Sequence, residues 1–79
     1  MEINIQQLLV QHFGATEGLR LYLKVLPSVM KDFEQTVQKA LIGLNVTEEY
    51  HLDDHSAKLV LTGHRSRTGA CELTDFRIL

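Results

Sequence analysis

Four side chains in the second half of the chain are of types that bind metal ions: His51, His55, His64 and Cys71. Imidazole nitrogens and a thiolate are common ligands of tetrahedral zinc. If this half forms strands, His64 and Cys71 are cross-strand neighbours. His51 then lies about 20 Å from His64 along the sheet, and one ion needs all its ligands within about 2.3 Å. We therefore expect no metal and no other cofactor.

Residues 53–56, Asp-Asp-His-Ser, contain every residue type of a hydrolase triad. Triads are assembled from separate elements that direct three side chains to one point, whereas consecutive turn residues point in different directions. Cys71 is the only thiol, and a catalytic thiol needs a lowered pKa and a cleft, which a flat sheet does not supply. We expect that the protein is not an enzyme.

Charged residues at the two ends of the predicted sheet could contact a partner. The segment 64–69 carries Arg65 and Arg67 with two hydroxyls and a glycine, a set that could bind a phosphate or carboxylate. It lacks the Gly-x-x-x-x-Gly-Lys pattern, so nucleotide binding is unsupported. Glu48 and Glu49, with Asp53 and Asp54, form an acidic patch at the other end. The alternative is a solvated loop tip and edge charges that prevent aggregation.

The first half, residues 1–45, has helical spacing. A first helix is predicted over 4–13, ending at Gly14, although the alternation at 3–5 also allows a short edge strand. A second helix is predicted over 17–25, with Thr16 as its N-cap. It should stop before Pro27, because proline disfavours helical geometry in the preceding residue.

A third helix of about four turns is predicted to begin near Pro27 or Ser28 and to end at about Gly43. Its apolar positions recur in alternating steps of four and three, which is typical of an amphipathic helix. Phe33 lies in the middle of this stripe, so we expect it in the core. The stripe consists of Leu26, Met30, Phe33, Val37, Ala40 and Leu44.

Residues 46–79 alternate with a period of two and predict a three-stranded antiparallel meander. Turns at 54–55 and 67–68 pair Tyr50 with Leu59, and Leu59 with Phe76. This register separates apolar from polar side chains, and a slip by one residue would destroy the separation. The prediction is one α+β domain over 1–79, with two or three N-terminal helices packed on one face of the meander.

Composition restricts the class of protein further. The chain has 79 residues, a formal net charge of −2 and one cysteine. This length suits one small domain, and a lone thiol fits a reducing compartment. The N-terminus lacks a basic signal-peptide region, and no apolar run approaches the ~18–20 residues of a membrane span. We expect a cytoplasmic protein without a membrane partner. The charge argues against nucleic acid as a partner without excluding it.

Residues 13–28 resemble the second helix and turn of Cro-like repressors, which bind DNA through a helix-turn-helix. The resemblance covers this segment alone. It departs from the motif at Arg20, where a small buried residue is usual, and at Lys24, where the turn glycine is usual. It implies a DNA-binding transcriptional regulator as the alternative function, although the third helix exposes Asp32 and Glu34 where phosphate binding requires an excess of basic residues.

The sequence favours a small non-enzymatic regulatory or adaptor protein that acts by binding another protein. Its third strand, 71–79, is a terminal edge strand that could pair with a second copy, giving a homodimer, or with a client. We expect alanine at both Arg65 and Arg67 to weaken partner binding and leave thermal stability nearly unchanged. The predicted partner-binding residues are Arg65, Arg67, Glu48, Glu49, Leu73 and Arg77.

Overall fold

The computed structural model describes residues 3–79, and the first two residues lie outside the described part. Helix α1 (Ile5–Phe13) is capped by Asn4, whose Oδ1 accepts a hydrogen bond of 3.0 Å from the Gln7 N–H. It ends at Gly14, whose φ of +92° is a conformation that favours glycine. The predicted first helix is therefore confirmed, and the alternative edge strand at 3–5 is wrong, because Ile5 already belongs to α1.

The predicted break before Pro27 is absent. Three helical segments follow one another without interruption: α2 (Ala15–Arg20), one π-helical turn (Leu21–Val25) and α3 (Leu26–Gln38). In this turn the Leu26 N–H bonds to the Leu21 carbonyl, five residues back. Pro27 has no N–H, and its ring would press against a carbonyl of the preceding turn in a regular α-helix. The wider π-turn relieves this contact, so residues 3–79 contain two helices rather than three.

The start of this long helix also differs from the prediction. Gly14, not Thr16, is the N-cap of α2, since the helix begins at Ala15. Gly18 is buried against α1, where an added Cβ would lie 2.5 Å from the Cα of Val10. The small residue thus allows α1 and α2 to approach closely.

Helix α3 ends at Gln38, about one turn earlier than predicted, and residues 39–45 form a loop. Contacts with the sheet replace the helical hydrogen bonds here. The Ala40 carbonyl accepts from Arg65 Nη2 at 2.9 Å, and the Gly43 N–H donates to the Arg65 carbonyl at 2.9 Å. Leu44, the last residue of the predicted apolar stripe, is 54% exposed in this loop, and Leu41 is 76% exposed.

The three-stranded antiparallel sheet has the order β1 (Val46–His51), β2 (Lys58–Arg65), β3 (Cys71–Ile78). Tyr50 pairs with Leu59, as predicted. Leu59 pairs with Ile78 instead of Phe76, so the predicted β2–β3 register is wrong by two residues. A shift by two keeps residues 75–78 on their predicted faces.

A β-bulge accounts for part of this change in register. The pairing shifts by one residue between Thr62 and Gly63, which a sequence pattern of period two does not reveal. A Cβ on Gly63 would lie 2.4 Å from the Glu72 carbonyl oxygen and 3.1 Å from the Phe33 ring. Gly63 therefore sits where the neighbouring strand and the α3 side chain approach too closely for any larger residue.

The hydrophobic core contains side chains from both helices and from the sheet, which confirms the α+β class. Phe33 is fully buried, as expected from its place in the apolar stripe. No helix within residues 3–79 has the length and apolar character needed to cross a membrane. The core residues are Leu9, Leu21, Leu26, Val29, Phe33, Val37, Leu52, Leu59, Leu61 and Phe76.

Candidate protein-binding edge

Strand β3 is an edge of the sheet, and its backbone pattern shows which groups remain free. Lys58 and Leu79 exchange both backbone hydrogen bonds, at 2.8 and 2.9 Å. Along an antiparallel ladder, pairs of residues that exchange backbone hydrogen bonds alternate with pairs that do not. The backbone of Arg77 therefore forms hydrogen bonds with β2, whereas the backbones of Phe76 and Ile78 do not. The N–H and C=O groups of Phe76 and Ile78 therefore point away from β2, towards the open edge.

A groove separates this edge from helix α1. It consists of two adjoining cavities of about 530 and 460 Å³, and both are lined by Leu8 and Gln11 of α1 and by Phe76 of β3. Leu8 is 36% exposed although it is apolar. The free backbone groups of β3 thus lie beside a groove that is lined by both apolar and polar side chains.

The predicted partner-binding residue Arg77 lies on this strand, on the sheet face opposite the core. Its Nε donates to Asp75 Oδ2 at 2.8 Å, and the two side chains are 69% and 44% exposed. Leu73, another predicted contact, is half-buried and packs against the core opposite Gly63. Of these two predicted residues, Arg77 is the one whose side chain is available to a partner.

Arg65 and Arg67 do not converge into an anion site. Arg65 is half-buried, donates to the Ala40 carbonyl, and its Nε is buried without a hydrogen-bond partner within residues 3–79. Arg67 is exposed in the hairpin turn. The hydroxyls of Ser66 and Thr68 bond to each other at 2.8 Å. Arg65 therefore links the β2–β3 hairpin to the loop after α3.

The two glutamates of the predicted acidic patch point to opposite faces of β1. Glu48 is half-buried on the core side, opposite Leu61. Glu49 lies on the other face, where Lys58 Nζ is 3.7 Å from its carboxylate. Burial, with a further contribution from Glu48, raises the pKa of Tyr50. Glu48 and Glu49 thus do not lie on one surface.

The imidazoles and the thiol are dispersed. His55 bonds to Glu17 at 2.6 Å, and His64 lies 3.0 Å from Glu72, its cross-strand neighbour. The predicted pairing of His64 with Cys71 is wrong, because the shifted register places Cys71 opposite Arg65, on the core side. Within the described residues, no group of three or more His, Cys, Asp or Glu side chains is placed to hold a metal ion.

Burial chiefly, and the Glu34 carboxylate in addition, raises the pKa of the Cys71 thiol. A nucleophilic or metal-binding cysteine needs the opposite shift, because the thiolate is the reactive form. Cys71 is also part of the side-chain layer packed against the core. These surroundings favour the protonated thiol of Cys71 over its thiolate.

A cluster of ionic side chains between α2 and the β1–β2 turn was not predicted from the sequence. Glu17 accepts hydrogen bonds from Arg20 and from His55 Nε2, and the His55 ring lies 4.7 Å from that of Phe13. The bonds from Arg20 and then from His55 lower the pKa of Glu17 from 4.5 to about 2. The only sequence signal for this cluster was the spacing of three residues between Glu17 and Arg20 on one helix.

This cluster predicts a pH dependence of stability. The folded-state pKa of Glu17 is depressed, so the unfolded chain binds a proton at higher pH than the folded chain does. The contribution of Glu17 is therefore complete above pH 4.5 and is lost as the pH falls towards about 2. The stability difference between wild type and Glu17→Gln should shrink over that interval in urea unfolding curves. A difference that stays constant with pH would contradict this assignment.

The fold and the edge together define a small α+β domain with an open β-strand beside a helix. The chain matches no protein-family model, and no curated protein or solved structure shows significant similarity to it.

Proposed function

We propose that the protein is a small non-enzymatic regulatory or adaptor protein of the cytoplasm, which binds an extended segment of another protein along β3. The observation that carries this proposal is the pair of outward-facing backbone positions, Phe76 and Ile78, beside the groove under α1. Adding a strand to a sheet edge satisfies such groups with main-chain hydrogen bonds. The cytoplasmic location rests on the single cysteine.

The side chains around the edge indicate which segment would fit. Alternate residues of an added strand point to opposite faces of the sheet. On the core side they would enter the groove and contact Leu8 and Phe76, which favours apolar residues. On the other face they would lie beside Asp75 and Arg77, which favours charged residues. The expected ligand is an extended segment in which apolar and charged residues alternate.

The observations give less support to the two other classes. The pKa of the Cys71 thiol and that of Tyr50 are raised, so neither group is activated as a nucleophile. The Cro-like alternative requires a turn near Lys24, and residues 15–38 there are continuously helical. Only the sequence resemblance therefore supports DNA binding. Salt-sensitive retention of the protein on duplex DNA would test this alternative.

The variant Ile78→Pro tests the edge proposal. Proline removes the N–H of residue 78, which points outward, so no bond to β2 is lost and an edge strand tolerates the change. Short random peptides selected on the wild-type protein should bind Ile78→Pro at least about tenfold more weakly. Its circular dichroism and thermal melting should stay close to those of Ile78→Ala, because Ile78 packs against the core and both variants lose its side chain. Amide shifts in NMR spectra of the wild-type complex should map to β3 and α1.

The matched control is Ile78→Ala, which shortens the same side chain but keeps the N–H. It should retain most of the peptide affinity. Failure to select any peptide, equal binding by Ile78→Pro, or amide shifts confined to α3 and the hairpin would each contradict the proposal.

A further inference from the structure

We infer that the strand seated on β3 is β3 of a second copy, paired antiparallel about a two-fold axis that passes beside Phe76. This inference rests on the function proposed above for the edge. Three features of β3 carry it: the direction of its backbone groups, the order of its charges and the groove beside it.

The backbone restricts the register. Hydrogen bonds between two copies can form only where outward-facing residues stand opposite each other. When Phe76 lies opposite Phe76 of the second copy, the two phenylalanines both face outward and exchange two backbone hydrogen bonds. Ile78 then lies opposite the β-bulge of the second copy, where Thr74 has no partner on β2. A shift by one residue would place an outward-facing residue opposite one that already bonds to β2. Only shifts by two residues keep outward-facing residues opposite each other and keep the core-side residues of both copies on one face of the sheet.

The charges then select among these registers. In the central register Asp75 lies opposite Arg77 of the second copy, and symmetry repeats the pair. A slide by two residues places either Arg77 opposite Arg77 or Asp75 opposite Asp75. Opposite charges directly across an antiparallel pair are favourable and like charges are not. In the single chain Arg77 bonds to its own Asp75, and both side chains are substantially exposed, so they can change partner without leaving a buried charge.

The other edge does not offer this complementarity. Strand β1 reads Val-Thr-Glu-Glu-Tyr-His and contains no lysine or arginine. Pairing β1 with itself therefore forms no arginine–carboxylate contact. Pairing β1 with β3 of another copy would leave edges free and produce an open-ended chain, whereas β3 with β3 closes after two copies.

The groove gives the dimer an apolar contact as well. Its larger part lies beside Thr74, where Ile3 and Leu8 form an apolar patch among the polar side chains of Asn4, Gln7 and Gln11. In the central register Ile78 of the second copy comes to this end of the groove. Leu79, which is 65% exposed in the single chain, also lies at the dimer interface. The dimer would thus cover apolar side chains that the single chain leaves in water.

Charge reversal on β3 tests the register. Asp75→Arg and Arg77→Asp should each weaken self-association by at least about tenfold, because each variant places like charges opposite one another. Mixing the two variants should produce a heterodimer, in which both arginines of one chain face both aspartates of the other. The double variant should dimerise like the wild type. Sedimentation velocity and native mass spectrometry, from low micromolar to millimolar concentration, measure the self-association of the wild type, each single variant, their mixture and the double variant.

Glu72→Arg is the matched control. Residue 72 lies on the same strand and the same sheet face as Asp75, but on the other side of the β-bulge at Thr74 and outside the segment 74–78 that the central register pairs. This variant should dimerise normally. A wild type that remains monomeric at millimolar concentration, a dimer insensitive to the reversals, the absence of a heterodimer, or growth into longer assemblies would each overturn the inference.

The outcomes separate this inference from the edge proposal. Peptide binding is measured at a chain concentration below that of self-association. If the reversals have no effect while peptides still bind the wild type and not Ile78→Pro, the second-copy inference fails and the edge proposal stands. If Ile78→Pro dimerises as the wild type does, β3 is not the dimer interface, and the inference fails.

Discussion

Replacing Phe33 with alanine should lower the free energy of unfolding by about 3–5 kcal/mol, the cost typical of removing a large aromatic side chain from a core. Phe33 is fully buried. Its ring also fills the space above Gly63, where ring atoms lie 3.1 and 3.2 Å from the position of a missing Cβ. The loss would therefore leave a cavity between α3 and β2. Urea denaturation monitored by circular dichroism measures the change.

Two further variants make this prediction decisive. Leu23→Ala removes an apolar side chain from the same long helix, but Leu23 is 64% exposed, so its cost should stay within about 0.5 kcal/mol. Domains of this size are stable by only about 3–5 kcal/mol, and Phe33→Ala could be unfolded. Phe33→Leu, which keeps part of the volume, would then give an intermediate loss. A cost of Phe33→Ala below about 1 kcal/mol would show that Phe33 is not central to the core.

Arg65→Ala should destabilise the fold by about 1.5–3 kcal/mol, the range for hydrogen bonds made by charged groups. The structure thus revises the expectation that this loop could be altered without cost. The half-buried guanidinium donates to the Ala40 carbonyl at 2.9 Å, and its removal leaves that carbonyl without its partner from β2. The backbone bond from the Gly43 N–H to the Arg65 carbonyl remains, so the loop after α3 should loosen rather than detach.

Arg67→Ala provides the control, because Arg67 is an exposed arginine two residues away in the same hairpin. It should leave the thermal midpoint close to that of the wild type. Hydrogen exchange should accelerate around residues 39–45 in Arg65→Ala and not in Arg67→Ala. Equal, small effects of both substitutions would show that Arg65 does not hold the loop.

Much of the candidate edge could be predicted from the sequence. The alternation after residue 46 identified three strands and placed the last at the edge, because side-chain alternation is a local property of strand geometry. The same alternation placed Asp75 and Arg77 on the outer face. The groove beside α1 could not be predicted, since its position depends on how α1 packs relative to the sheet.

Helix ends and strand register were less predictable. The helix continues through Pro27 because a π-turn accommodates the proline ring, and no spacing of apolar residues signals such a turn. The β2–β3 register differs from the predicted pairing by two residues at Leu59 and, beyond the shift between Thr62 and Gly63, by one residue. Both features depend on which carbonyl each N–H reaches, and several acceptors lie within one or two residues of the expected one.

By itself, the sequence determined the α+β class, the strand faces, the place of Phe33 in the core and the end of α1 at Gly14. Each of these depends on a period of two or 3.6 residues, or on the conformation of a single residue. The tertiary structure alone decided where α3 ends, which residues face each other across β2 and β3, and that Arg65 holds a loop. Those features arise from hydrogen bonds between residues far apart in the chain, whose geometry exists only after the helices and the sheet have packed together.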